Sequence, residues 1–322
     1  MKQYNSLQDV AEVLKNGTIA VIPTETVYGL AATVFDDNAV KKIFEKKRRP
    51  ADNPLIVHLS HRDQIDSIAI VENELERKLI DLWMPGPFTI LLKKKEIISD
   101  LVTAGSDLVA VRVPSHPLAQ QLLEKVGVPL AAPSANPSGK PSPTSAEMAH
   151  FYFPELKILD GGACHTGIES TVVYVDGSEV VVMRPWLITA EDMRDALGGT
   201  VVVRAVATKT DLVAPGMKYK HYAPSCGLEW LDIRSSDFLS WYAGKKIWLL
   251  CSQEMAHSLE KTFFWSFFIW WIRSDLLWLA QKLFLTFHEA DKLWLDLLLI
   301  EKFDTQWVWL ALMNRVKKAM WL

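Results

Sequence analysis

The residues best suited to chemistry lie in Lys47-Arg48-Arg49-Pro50-Ala51-Asp52-Asn53-Pro54-Leu55-Ile56-Val57-His58. A cationic turn passes through two prolines, which forbid helix, and runs into a short apolar strand ending on a histidine. Each proline biases the residue before it towards extended backbone, so Arg49 and Asn53 sit on irregular chain with side chains able to reach a ligand. Lys47 as a point charge and Arg49 as a bidentate fork suit a polyphosphate. Taken alone, the stretch fits a solvated basic loop as readily.

Other stretches add to it. Arg112 lies in the alternating run Leu108 to Pro114, between apolar neighbours, where an arginine faces a partner carboxylate or a ligand anion. The loop from Ala132 to Thr144 carries Ser134, Asn136, Ser138 and Ser142 with four prolines and no bulky apolar residue. It reads either as a linker of small polar residues or as a stiffened ligand loop at a strand end. Glu169-Ser170-Thr171 leads into a further strand. No GxxxxGK[ST], GxGxxG, HExxH or GxSxG motif is present, and His58, His116, His165 and His221 are scattered. Cations, hydroxyls and amides without a nucleophile suit a reaction that needs positioning and charge stabilisation, as phosphoryl and nucleotidyl transfers do.

The elements that must position these residues alternate in type. Residues 6–15 read as an amphipathic helix capped by Ser6, Thr18 to Pro23 as a buried strand, and Thr24 to Leu30 as a polar loop. Asn38 to Lys46 is a helix that delivers the basic stretch, and Leu55 to Leu59 the next strand. Asn73 caps a helix to Leu82, Trp83 to Pro87 is a turn, and Phe88 to Lys93 a strand. A helix over 117–126, a short strand over 129–132, strands over 171–175 and 180–183, and a capped helix over 189–197 follow. Residues 205–227 form an irregular connector. Beyond it, Gly244 to Leu250 reads as a strand, Leu276 to His288 as a helix, Leu295 to Ile300 as a strand and Leu310 to Met320 as a helix, a small second α/β domain from about residue 228.

At 322 residues the chain has room for one large domain or two ordinary ones. A net charge of −3, from 35 basic and 38 acidic residues, gives no global field for non-specific nucleic-acid binding. Cys164, Cys226 and Cys251 make neither a disulfide framework nor a CxxC metal site, which suits a reducing cytosol, and the N-terminus shows no secretory h-region. Of 13 tryptophans, only Trp83 precedes residue 186. The run Phe263 to Ile272 stops at Arg273, short of the roughly 18 apolar residues a membrane span needs, so no membrane role is expected.

Six blocks in order, Pro23 to Leu30, Lys47-x-Arg49-Pro50, Asn53 to His58, Trp83 to Pro87, Ser134 to Gly139 and Glu169 to Val172, closely resemble the YrdC-like family of L-threonylcarbamoyladenylate synthases. The likeness covers residues 5 to about 200. Ala214 to Pro224 resembles the linker of the family's long, two-domain form, and Met313-Asn314-Arg315 its C-terminal end. The resemblance implies an α/β fold: a YrdC-like twisted mixed sheet with flanking helices over 1–200, a linker or lid over 201–227, and a smaller Rossmann-like α/β domain over 228–322. It also implies a cytoplasmic nucleotidyltransferase that joins L-threonine, bicarbonate and ATP into threonylcarbamoyl-AMP and pyrophosphate. The product would pass to a tRNA threonylcarbamoyl transferase complex, for modification of adenosine beside the anticodon, with tRNA contact possible. Mg2+ is expected with ATP, and no organic cofactor.

By motif position, Thr26, His58, Arg112, Ala132 and Ser170 would hold threonine, with Arg112 on its carboxylate. Lys47, Arg49, Asn53, Ser134, Asn136, Ser142 and Arg184 would hold ATP, Lys47 and Arg49 being the catalytic cations, and Tyr222 would close over the nucleotide. Trp186, Trp278, Trp294, Trp307, Trp309 and Trp321 stand where the family has, or looks to have, glycine, so bulky indoles are expected where backbone needs φ > 0 or close approach. Two other readings compete. An RNA-binding module of the same fold lacks support from a basic excess or stacking aromatics. A carbamoyl-transfer domain of hydrogenase maturation would call for zinc-finger cysteines and an acylphosphatase segment, which are absent.

Overall fold

The computed structural model describes residues 4–199, 201–205, 215, 221–231, 242, 244–259, 267–271, 275–302 and 307–320. By its contacts the chain divides into two units, 1–138 with 142–219, and 139–141 with 220–322.

The first unit is built on a mixed sheet of ten strands: β1 (Ala20–Ile22), β2 (Gly29–Thr33), β3 (Ile56–His58), β4 (Ala69–Ile70), β5 (Phe88–Lys94), β6 (Leu108–Arg112), β7 (Leu130–Ala131), β8 (Thr171–Asp176), β9 (Glu179–Arg184) and β10 (Val203–Ala205). Their order is β1-β2-β7-β3-β6-β5-β8-β9-β10, with β4 paired to β5. β3 runs parallel to β6, in a register that sets His58 against Arg112. Because side chains alternate along a strand, Val57 and Val111 join the main apolar core while Ile56 and Ala110 join a smaller cluster on the other face. His58 and Arg112 continue that second face, so the sheet places two polar residues side by side where its apolar cover ends.

The helices of this unit are α1 (Leu7–Lys15), α2 (Asp37–Lys47), α3 (Ile65–Ile68), α4 (Glu74–Trp83), α5 (Asp100–Thr103), α6 (Pro117–Val126), α7 (Ala146–Tyr152) and α8 (Ala190–Ala196). Local chemistry starts several of them: Ser6 with Asp9, Asn73 with Glu76 and Thr189 with Asp192 form reciprocal capping boxes. Asp36 caps α2, which stops because Arg48 turns left-handed at φ 51. That stop leaves Lys47 on the last helical turn and sends Arg49 onto irregular chain.

Several elements differ from the sequence expectation. The polar loop after β1 ends at Tyr28, and Gly29 to Thr33, read in part as loop, is a strand paired with β1 and β7. α7 and β10 arise in stretches for which the sequence reading named no element.

The second unit carries an all-parallel sheet, β11 (Gly227–Trp230), β12 (Ile247–Ser252), β13 (Phe267–Trp271) and β14 (Leu297–Ile300), in the order β11-β14-β12-β13. Its helices are α9 (Gln253–Leu259), α10 (Leu276–Lys292) and α11 (Trp307–Met320). The tryptophan-rich run that invited a membrane comparison contains β13, a sheet strand. Among the described residues no helix is long and apolar enough to cross a membrane. Gly139–Pro141 belongs with this unit: Gly139 O accepts from Ala223 N at 2.8 Å and Lys140 Nζ pairs with Asp291 at 3.1 Å.

Candidate active site

The loop between β1 and β2 is held by Thr24. Its Oγ1 donates to Val27 O at 2.6 Å and accepts from the backbone N–H groups of Thr26 and Val27, both at 3.2 Å. This hydroxyl-closed turn projects Thr26 onto Arg112, whose Nη1 donates to Thr26 Oγ1 at 2.8 Å, while Arg112 Nε donates to Gly86 O at 3.3 Å. Arg112 Nη2 lies 2.7 Å from Glu25 Oε1. The partner carboxylate expected for Arg112 is therefore within the chain. Burial opposes the charge on Glu25, and the Arg112 guanidinium outweighs it, holding the carboxyl below the usual range.

His58 is buried beside this pair. Its Nδ1 sits 3.2 Å from Ile56 O, and the ring also meets the Leu130 backbone. Burial first, and the nearby Arg112 charge second, push its pKa down to about 3, so the imidazole is neutral. Ala132 is buried at the end of β7, its N–H on Ile56 O at 2.9 Å.

Ser170 joins two further groups. Its Oγ is 2.7 Å from Thr89 Oγ1 and accepts from Arg184 Nη2 at 3.1 Å, and its carbonyl accepts from Arg184 Nε at 2.9 Å. The preceding residue, Glu169, accepts from Ser142 Oγ at 2.7 Å, which ties the strand β8 entry to the 134–144 loop.

The cationic stretch is less solvated than its composition suggests. Lys47 is fully enclosed, and its Nζ donates to the carbonyls of Ser134 and Asn136. Burial, then the Arg49 charge, lower its pKa well below the ordinary lysine value, with Glu169 opposing. Arg49 folds back onto its own loop, Nε on Asn53 O at 3.0 Å and Nη2 on Asn53 Oδ1 and Pro54 O at 2.7 Å each. Asn136 Nδ2 donates to Pro137 O at 2.9 Å. Tyr222 lies in the second unit, where its ring stacks on Phe284 with centroids 5.0 Å apart.

The structure thus joins Thr26, His58 and Arg112 in one neighbourhood, Ser170 with Arg184 in another, and Lys47 with Ser134 and Asn136 in a third, all in the first unit. Sequence reasoning missed Glu25, Thr89 and Glu169 as members. For Glu25 a signal existed: a carboxylate between two hydroxyl residues in a short loop, with a buried arginine elsewhere in need of a partner.

An α/β unit presenting buried cations, hydroxyls and backbone-pinned loops, joined to a small parallel α/β unit, defines a two-domain protein of the YrdC class. Residues 12–185 match the family described as Telomere recombination (Sua5/YciO/YrdC), and residues 188–320 match the Threonylcarbamoyl-AMP synthase, C-terminal domain. The threonylcarbamoyl-AMP synthase of Pyrococcus abyssi is 36% identical, over 96% of this chain and 92% of its own length. That of Bacillus subtilis is 37% identical, over 97% and 92%. The crystal structure of P. abyssi Sua5 complexed with L-threonine superposes with a TM-score of 0.85 at 35% identity, covering 98% of this chain and 94% of that one. The chain belongs to the threonylcarbamoyl-AMP synthase family, in its long two-domain form.

Proposed function

We infer that the first unit makes threonylcarbamoyl-AMP and that the clusters around Arg112 and Lys47 are its two substrate subsites. The observation that carries this reading is the set of buried cations in one α/β unit of a family whose P. abyssi member has been crystallised with L-threonine. Arg112, Thr26, His58, Ala132 and Ser170 hold threonine, with the guanidinium on its carboxylate. Lys47, Arg49, Asn53, Ser134, Asn136, Ser142 and Arg184 hold ATP.

The chemistry needs no protein nucleophile. The threonine ammonium first gives up a proton to solvent. The free amine then adds to CO2 with loss of a second proton, or condenses with bicarbonate with loss of water, to form a carbamate, whose oxygen attacks the α-phosphorus as pyrophosphate leaves. The chain contributes orientation and fixed positive charge. Burial disfavours the charge on Lys47, and a phosphate beside it would favour that charge. Among the described residues no group of three acidic, histidine or cysteine side chains could cage a metal ion. Glu169 with the Ser142 hydroxyl fits a Mg2+ that keeps phosphate and water ligands. Such an ion would neutralise charge on the departing pyrophosphate. The product is then available to a transferase acting on tRNA.

The test is pyrophosphate release from ATP, measured with and without L-threonine and bicarbonate. Release that requires both is expected, and release indifferent to threonine overturns the reading. Arg49→Ala should lower turnover by about 100-fold or more, since a charge-assisted contact to the transition state is worth roughly 3 kcal/mol. Arg112→Ala should abolish threonine binding while sparing ATP.

A further inference from the structure

Glu25 takes no part in the roles assigned so far, yet it is the most constrained carboxylate of the site. Its side chain is 7% exposed. Its own carbonyl accepts from both the N–H and the Oγ1 of Thr166, at 2.8 and 2.9 Å, so the backbone that aims it is fixed from outside the loop. Arg112 Nη2 at 2.7 Å balances the charge, and the backbone N–H groups of Glu25 itself and of Ser115 help to hold it, yet among the described residues neither carboxylate oxygen has a hydrogen bond of full normal geometry. An ionised carboxylate has about four acceptor positions, and leaving them unfilled in a buried site is costly.

Thr26 completes the picture. Its Oγ1 lies 2.8 Å from Thr24 Oγ1 and accepts from Arg112 Nη1 at 2.8 Å, which sets this hydroxyl beside both the guanidinium and Glu25. Beside the guanidinium, then, stand a buried carboxylate and a hydroxyl oxygen, both able to accept further hydrogen bonds.

We propose that Glu25, with Thr26, is the subsite that reads the α-ammonium of the amino-acid substrate. A zwitterion carries a carboxylate and a three-donor cation a short distance apart, and the pair Arg112 and Glu25 is its complement. This assignment rests on the reading that threonine binds at Arg112. It adds a selection rule: the site discriminates against hydroxy acids that keep the carboxylate and side chain but lack the amine. Glu25 acts as a binding residue, since a carboxyl held below its usual range is a poor proton acceptor.

The experiment uses the full chain and calorimetric titration with L-threonine, with 2,3-dihydroxybutanoate of matching stereochemistry, and with ATP. The unaltered protein should bind threonine about 10- to 100-fold more tightly than the dihydroxy acid, the range set by one hydrogen-bonded charge contact. Glu25→Gln keeps the shape and removes the charge; it should erase that preference, with ATP affinity unchanged within about twofold and dihydroxybutanoate affinity within about threefold. Threonine and the dihydroxy acid binding the unaltered protein equally would overturn the assignment, even were the variant not to fold. So would a folded Glu25→Gln that keeps the preference, or one that loses both acids alike, which would make Glu25 a support for Arg112 alone. Failure of the unaltered protein to bind threonine would instead overturn the substrate reading, and this assignment with it.

Discussion

His58 sits next to Arg112 across the β3–β6 register and is enclosed on all sides, so an imidazolium there would be both desolvated and repelled by the guanidinium. Its pKa of about 3 in the folded chain compares with about 6.5 unfolded. Between those values the unfolded state binds a proton that the folded state refuses, so stability rises with pH. The contribution is complete above about pH 6.5 and erodes as pH falls towards 3. At pH 5, one and a half units below the unfolded value, the loss is about 2 kcal/mol. His58→Gln lacks this term. Urea midpoints at pH 7.5 and 5 should show the unaltered chain losing about 2 kcal/mol more than the variant. Equal losses would place the acid sensitivity elsewhere. At this scale the sequence was partly readable: Arg112 announced its need for a partner through its apolar neighbours, whereas nothing local tied residue 25 to residue 112.

At the scale of elements, the tryptophans expected at glycine positions separate into distinct cases. Trp294 follows α10 with φ 53 and is 83% exposed, so a bulky non-glycine residue occupies a left-handed turn and its indole faces water. Removing the side chain there relieves backbone strain and forfeits little burial. Trp294→Gly should stabilise the chain by about 1 kcal/mol, read as a raised thermal midpoint. Trp186 is the opposite case. It is 1% exposed, and its backbone is not among the left-handed residues, so the expected strain is absent there. Its Nε1 makes no hydrogen bond among the described residues, a cost smaller than the packing it provides. Trp186→Gly should destabilise by roughly 3–5 kcal/mol, and a variant as stable as the parent would refute its role in the core. Trp278 lies within α10 with Lys282 Nζ 5.7 Å from its ring, and the side chains of Trp307, Trp309 and Trp321 lie outside the described residues. Capped helices such as α1, α4 and α8 were legible because a cap is local chemistry. β2 and β10 were not, because strand character there comes from partners distant in sequence.

At the scale of the molecule, the first unit holds the side chains proposed for threonine. Among the described residues, the apolar clusters of the first unit run from Tyr4 to Val203. Glu25, Thr26, His58, Arg112 and Ser170, the proposed threonine residues with polar side chains, all lie in it. The loop that supplies Ser134, Asn136 and Ser142 is different: its middle, Gly139–Pro141, is held by Ala223 N and by Asp291, which also accepts from Ser225 N. A chain cut after residue 219 should therefore fold, bind L-threonine within about threefold of the full chain, and bind ATP at least about tenfold more weakly, since ordering a freed loop on the nucleotide adds an entropic cost of about 1–2 kcal/mol per fixed residue. Calorimetry on both chains, with thermal melts as a check on folding, reads the two affinities separately. Equal loss of both ligands in a folded fragment would mean that the threonine residues also depend on the second unit. Retention of both would mean that the loop's ties within the first unit, Lys47 Nζ on the Ser134 and Asn136 carbonyls and Ser142 on Glu169 among them, suffice to hold it in place.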